Sequence, residues 1–167
     1  DAARGRYLVL GDADGSYDPK TLYDLQRTLE EGGYDVVFCS RYLPESGSDD
    51  DTAVRYIGNK TFTWLLRALH GVRITDSLFL YILAKREVFD RIAMTSRHYD
   101  YCVEFPIRVH AAGLKYTEIP SRERPRMAGV SKVNAFLDGL KIGWTICKLK
   151  LARRSPKRLD DPQPASS

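Results

Sequence analysis

The first forty residues constrain the fold of this chain more than any other feature. Tyr7-Leu8-Val9-Leu10 is a short apolar run that stops at Gly11, and it reads as a buried parallel strand. Asp18-Pro19 then opens a helix, with Asp18 suited to the N-cap and Pro19 to the first helical position. Leu22, Leu25 and Leu29 give that helix one apolar face, and Gly32-Gly33 end it. Asp35 to Ser40 is a second apolar strand. Strand, helix, strand is a βαβ unit, which predicts an α/β fold with ligands bound beyond the carboxyl ends of the strands.

The rest of the chain continues the alternation. Residues 44–52 are a polar, acidic loop; 54–69 are helical and end at Gly71; 78–84 form a strand and 86–92 a short helix. Residues 101–112 form a helix stopped by Gly113, 115–119 a strand stopped by Pro120, and 121–130 a basic loop. A long helix over 131–151 follows, and the tail from Ser155 is rich in Pro, Ser and charge, a composition of disorder. A chain of 167 residues builds one core. No apolar run is long enough for a bilayer-spanning helix, and no signal peptide is visible. The chain does not begin with Met and opens directly into a strand, so it reads as a fragment. Cys39, Cys102 and Cys147 are too few and too scattered for a disulfide framework or a zinc site; a reducing compartment and buried packing for each are expected.

Between the first strand and its helix stand Asp12 and Asp14. Two carboxylates this close repel each other unless a cation joins them, and Mg²⁺ or Mn²⁺ accepts carboxylate together with phosphate oxygens. A polar turn signalled by Asp14-Gly15 is the plain alternative. Charge is unevenly spread: residues 1–53 carry 12 acidic and 5 basic side chains, whereas basic residues predominate afterwards. A metal site beside phosphates would use that asymmetry, although a solvated surface would show it too. The acidic N-terminal part and the absence of a recognised motif argue against nucleic-acid binding.

The segment from Leu8 to Pro19 resembles the metal-binding turn of the family 2 glycosyltransferases, in particular the polyprenyl-phosphate and dolichyl-phosphate sugar synthases. Further segments match in the same order. Ser40-Arg41-Tyr42 resembles a strand end of that family, and Arg55 with Asn59 the start of its next helix. Thr75-Asp76 resembles the segment with its acceptor-side aspartate, Glu104 its helix acid, and Arg126, Gly129, Ser131 and Lys132 its closing basic motif. Two departures stand out. Ser16 occupies a position where the family often has Gln, and Phe79-Leu80-Tyr81 replaces its usual Ser-Gly-Phe. The family's N-terminal nucleotide-binding region would precede Asp1.

The resemblance implies a partial GT-A domain over residues 1–131; the residue pattern after it predicts an amphipathic, membrane-interfacial helix over 132–154 and a disordered tail over 155–167. The resemblance also implies metal-dependent, inverting transfer of a hexose from a UDP- or GDP-sugar to a polyprenyl or dolichyl phosphate. Asp12 and Asp14 would hold Mg²⁺ or Mn²⁺. Arg41, Arg126 and Asp76 would serve the reaction, with Arg55, Asn59, Arg124, Ser131 and Lys132 binding substrate. Guanidinium forks match phosphate geometry, and Ser131 suits an N-cap whose free amides attract phosphate. Surface arginines and a ligand-free cap are the ordinary readings of the same residues. Asp76 would act as a base if the acceptor were a sugar hydroxyl; otherwise it orients the acceptor, pairs with an arginine or caps a helix. A polysaccharide-type transferase and a non-catalytic remnant are the alternatives. Basic residues, Phe136 and Trp144 on the last helix, with Phe62, Trp64 and Leu65 on residues 54–69, fit a membrane surface, which places the protein at the inner face of a membrane in the cytoplasm. Packing of both helices against the sheet is the competing expectation. His70, His98 and His110 share no ligand spacing and are expected to have no catalytic role.

Overall fold

A computed structural model describes residues 3–49, 51–96, 98–125 and 135–152. Its elements run β1 (Tyr7–Leu10), α1 (Thr21–Glu31), β2 (Val36–Ser40), β3 (Gly47–Ser48), α2 (Ala53–His70), β4 (Ile82–Lys85), α3 (Arg86–Arg91), α4 (Tyr101–Ala111), β5 (Tyr116–Pro120), β6 (Arg122–Glu123) and α5 (Ala135–Ala152). Four strands form one sheet in the order β1-β4-β2-β5.

This order corrects the reading of β1 as a buried parallel strand. β1 lies at the sheet's edge, its neighbour β4 is antiparallel, and Val9 is exposed. β4 is antiparallel to β2 as well, so β1 and β2 run the same way with β4 between them. The strand expected over 78–84 is confined to Ile82–Lys85, and the residues before it form the connection that carries Asp76 and Phe79. β2 and β5 pair in parallel, from Val36 opposite Tyr116 to Ser40 opposite Pro120.

β2 is buried along its whole length because both faces of the sheet are covered. Alternate residues turn to opposite sides. Val36 and Phe38 join Ile82 and Ala84 in a core completed by α2, α4 and α5, including Leu66, Phe105 and Ile146. Val37 and Cys39 face the other way, against Leu25 and Leu29 of α1. The molecule is therefore three layers, α/β/α.

Local chemistry sets the helix ends. The expected start of α1 is corrected: the helix begins at Thr21 with Lys20 at its N-cap and no side-chain cap, so Pro19 lies before it. Asp18 instead accepts the Lys20 N–H at 3.1 Å and shapes the Pro19-Lys20 turn that leads into α1. The Thr52 hydroxyl accepts the Arg55 N–H and caps α2. Gly71 closes α2 at φ 77°, a left-handed geometry that glycine adopts without strain.

The two expected loops, 44–52 and 121–130, contain a pairing that no local pattern announces. β3 and β6 are parallel two-residue strands, Gly47 opposite Arg122 and Ser48 opposite Glu123. The Ser48 hydroxyl donates to the Glu123 carboxylate at 2.6 Å. The burial expected of every cysteine holds for Cys39, but Cys147 is exposed. On α5, Ile142 and Ile146 face the core, whereas Leu140, Trp144 and Leu151 are exposed. Packing against the sheet thus fails for Trp144, and likewise for Trp64 on α2, both about two-thirds exposed at 66% and 64%. α2 and α5 lie against each other, and a Cβ on Gly139 would stand 3.7 Å from the Phe62 ring.

Candidate active site

Because β1, β2 and β5 run in one direction and β4 runs against them, the ends of the first three and the entry to β4 meet at one sheet edge. Asp12, Asp14, Arg41, Asp76 and Arg124 lie on the segments at that edge.

The aspartate turn is built on aromatic rings. Tyr17 stacks on Tyr81 with ring centres 4.6 Å apart and meets Phe79 edge-on at 5.2 Å. Gly11 makes room for it, since a Cβ there would sit 3.2 Å from the Tyr17 ring. The Tyr17 hydroxyl donates to Asp12 at 3.3 Å. Burial, reinforced by the Asp12 charge, pushes the Tyr17 pKa far up, so the phenol keeps its proton. Gly15, at φ 81°, turns the chain back, and the backbone N–H and hydroxyl of Ser16 both donate to Asp14 Oδ1, at 3.0 and 2.6 Å. Ser16 is buried, so it fixes the orientation of Asp14. The Asp12 side chain is exposed.

Among the described residues, no group of three or more His, Cys, Asp or Glu side chains is placed to hold a metal ion. The donor set at the turn is two carboxylates. That set fits a hard cation such as Mg²⁺, which retains waters and takes its remaining ligands from substrate phosphates.

At the same sheet edge, the carboxylate of Asp76 is closed off. Asp76 is 2% exposed and receives the Arg41 backbone N–H at 3.1 Å, Arg41 Nε at 2.8 Å, Arg41 Nη2 at 3.1 Å and Asn59 Nδ2 at 2.5 Å. Arg41 Nη1 donates to Glu123 at 2.9 Å, so each guanidinium nitrogen meets a carboxylate, and its carbon lies 4.7 Å from the centre of the Phe79 ring. Burial works against the charge of Arg41, but the bonds to Asp76 and Glu123 outweigh it and hold the guanidinium ionised. Glu118 receives the Thr75 and Asp76 backbone N–H groups, and burial raises its pKa. The Asn59 bond to Asp76 and the Thr63 hydroxyl, which donates to Ser77 at 2.9 Å, tie α2 to this cluster. Of the three non-catalytic roles expected for Asp76, pairing with an arginine is the one observed.

The remaining expected residues divide. Arg124 reaches the aspartate turn: its backbone N–H donates to the Ser16 carbonyl, and its guanidinium bonds Asp18 at 2.6 Å. Arg55 is on an exposed face of α2. Arg126, Ser131 and Lys132 lie outside the described residues. Glu104 is fully buried and receives Thr95, Ser96 and Arg108. Burial alone would raise its pKa, but those bonds prevail and hold it at about 2. It anchors the loop before α4.

Beside the aspartate turn lies a cleft of about 510 Å³, lined by Asp12, Leu78 and Leu80, by His98 and Tyr99 just before α4, by Tyr101 and Cys102 at its start, and by Asp138 and Lys141 of α5. Sequence reasoning assigned no catalytic or substrate-binding role to the lining residues of α4 and α5. Their spacing carries no ligand signal, and only the packing of α4 and α5 brings them to Asp12. Burial and the nearby Asp12 and Asp76 charges push the Cys102 thiol up to about 12, so it is not a thiolate nucleophile.

Residues 1–93 match the family described as Glycosyl transferase family 2. The chain belongs to this family. Its relatives include an uncharacterized glycosyltransferase of Mycobacterium tuberculosis, 32% identical over 138 residues, covering 83% of this chain and 62% of that protein. The polyprenol monophosphomannose synthase of Mycolicibacterium smegmatis is 32% identical over 130 residues, covering 76% and 49%. In structure, the chain resembles glucosyl-3-phosphoglycerate synthase of Mycobacterium tuberculosis, with a TM-score of 0.65, 19% identity and coverage of 94% and 53%. Mannosyl-3-phosphoglycerate synthase of Rubrobacter xylanophilus gives 0.58 at 19% identity. These likenesses establish the GT-A fold expected from the sequence. The chain spans 49% and 62% of the lengths of the two mycobacterial relatives just named.

Proposed function

We propose that the protein carrying this chain transfers a hexose from a UDP- or GDP-linked sugar to the phosphate of a polyprenyl lipid, with inversion at the sugar carbon. The carrying observation is the aspartate turn, two carboxylates held in fixed orientation at the sheet's carboxyl edge and opening on a cleft. Asp12 and Asp14 would hold Mg²⁺ or Mn²⁺, which when bound supplies charge neutralisation for the leaving diphosphate. Tyr17 and Ser16 keep the two carboxylates in place before any ligand arrives, so little reorganisation accompanies binding. Arg41 and Asp76, through Glu123 and Asn59, hold β2, α2 and β6 together at the same sheet edge. The likeness to a polyprenol phosphomannose synthase supports the lipid acceptor.

A phosphate acceptor is already ionised near neutral pH and needs no base. Transfer to a sugar hydroxyl needs one, and Asp76, bonded by Arg41 and Asn59 and buried, is poorly placed to take a proton. The phosphate acceptor is favoured for that reason.

A membrane surface is the expected partner. Val54, Ile57 and Trp64 lie exposed along one side of α2, and Leu140, Trp144 and Leu151 along one side of α5. No helix among the described residues is long and apolar enough to cross a membrane. Aromatic and basic side chains on such helices suit the bilayer interface.

The test is transfer by the whole protein of labelled hexose from GDP- and UDP-sugars to polyprenyl phosphate in detergent, with and without EDTA. A prenyl phosphosugar formed only with metal is expected. Label moving to oligosaccharide hydroxyls and not to the prenyl phosphate would overturn the acceptor; transfer unaffected by EDTA would overturn the metal.

A further inference from the structure

We infer that Lys141 of α5 binds the anionic group of a phosphomonoester acceptor in the cleft beside Asp12, with Asp138 as its positioning residue. The inference rests on the transferase reading above and adds a binding residue to it.

The argument starts from the distribution of positive charge. A phosphomonoester acceptor must come to the donor held at Asp12 and Asp14, and those two carboxylates repel it until something cationic intervenes. Arg41 is an obvious candidate by position, yet its side chain is only 10% exposed, and Asp76 and Glu123 occupy all three of its nitrogens. Arg124 is paired with Asp18. Among the described residues lining the cleft, Lys141 is the only lysine or arginine.

Its placement is specific. Asp138 lies one turn earlier on the same helix, with its carboxylate 3.6 Å from Lys141 Nζ and a side chain that is 14% exposed. Lys141 itself is 61% exposed, so its ammonium can stay beside Asp138 and still give a donor to a further oxygen partner. A compact ammonium with three rotatable donors suits a phosphate that must approach from solvent. Leu78 and Leu80 supply an apolar wall, and Tyr99 and Tyr101 supply aromatic ones, on which the carbon part of an acceptor can rest. A lipid phosphate and a small soluble phosphoester share this headgroup chemistry, and the cleft accommodates either at its charged end.

The experiment is calorimetric titration of the whole protein, loaded with Mg²⁺ and nucleoside diphosphate, using citronellyl phosphate in one arm and 3-phosphoglycerate in the other. Binding by the wild type is expected, and Lys141→Ala should weaken it about tenfold or more, the worth of one charged hydrogen bond. Lys141→Arg should retain most of the affinity, and Asp138→Asn should lie between. Nucleoside diphosphate affinity should stay within about twofold in all three, because Lys141 serves the acceptor and not the donor. Preference for citronellyl phosphate assigns the lipid source, and preference for 3-phosphoglycerate the soluble one. Equal affinity in wild type and Lys141→Ala, or no binding of either probe by the wild type at millimolar concentration, would overturn the inference. Transfer activity is not the readout, so a failed transfer assay with retained, lysine-dependent binding would refute the proposed reaction and leave Lys141 in place.

Discussion

Two groups of carboxylates stand at the same sheet edge in opposite states. Asp12 is exposed and held by one tyrosine hydroxyl, and Asp14 is oriented by its own turn. Asp76 is sealed, with an arginine and an asparagine filling its oxygens. Charge that is buried and paired serves architecture, because removing either partner strands the other. Like charges left together at the surface are a standing cost that a cation relieves. The residue type is the same; the surroundings differ.

The strongest way to break that contrast is Arg41→Ala. It leaves Asp76 and Glu123 without their cation, and about 3–5 kcal/mol of stability should be lost, read by urea denaturation. A loss below about 1 kcal/mol would mean that the cluster is not structural. Asp14→Asn, which removes the charge and keeps an acceptor for Ser16, should act the other way: transfer by the whole protein falls roughly 100-fold or more, a cost of about 3 kcal/mol in the transition state, while the urea midpoint hardly moves. Activity within tenfold of wild type would remove the metal role.

Glu104 sharpens the comparison through pH. Its folded pKa of about 2 lies below the ordinary 4.5, so its contribution to stability is complete above that value and declines as pH falls from about 4.5 toward 2. In Glu104→Gln, stability should vary less steeply with pH across that window, as measured by denaturation at several acidic pH values. An unchanged slope would show that the bonds from Thr95, Ser96 and Arg108 do not hold the carboxylate ionised.

The smallest effect on stability is expected at the exposed aromatics. Trp64→Ala with Trp144→Ala should change folding stability by no more than about 0.5 kcal/mol per site. The same pair should reduce co-sedimentation with anionic vesicles at high salt, where only apolar insertion persists. Undiminished sedimentation would rule out these helices as the contact.

The layers of this fold were legible because apolar periodicity reports burial. Val36 to Cys39 and the leucines of α1 announced a covered sheet and the helix upon it. Hydrogen-bond partnership is not encoded in that periodicity. An apolar run such as Tyr7–Leu10 does not reveal that its neighbour is β4, nor that the strand faces solvent at Val9. The same gap explains the site. Asp12 and Asp14 are two apart in sequence and so visible there, whereas the pairings of Arg41 with Glu123 and of Ser48 with Glu123 join residues brought together by the β2–β5 and β3–β6 pairings. Lys141 is a further case, an ordinary helix lysine until α5 is packed beside the turn.

The position of β4 has a consequence for biosynthesis. Residues 1–40 leave the ribosome as two strands and a helix, yet neither β1 nor β2 can bond to the other, because the strand that pairs with both ends at Lys85. The parallel partner β5 follows later still, ending at Pro120. Contacts so distant along the chain close slowly. At roughly 5–20 residues added per second, the apolar segments of the nascent chain spend seconds without their partners. Among the described elements, α1 is the one made in time to cover β2, so the leucines that later form one layer of the core can shield it first from aggregation.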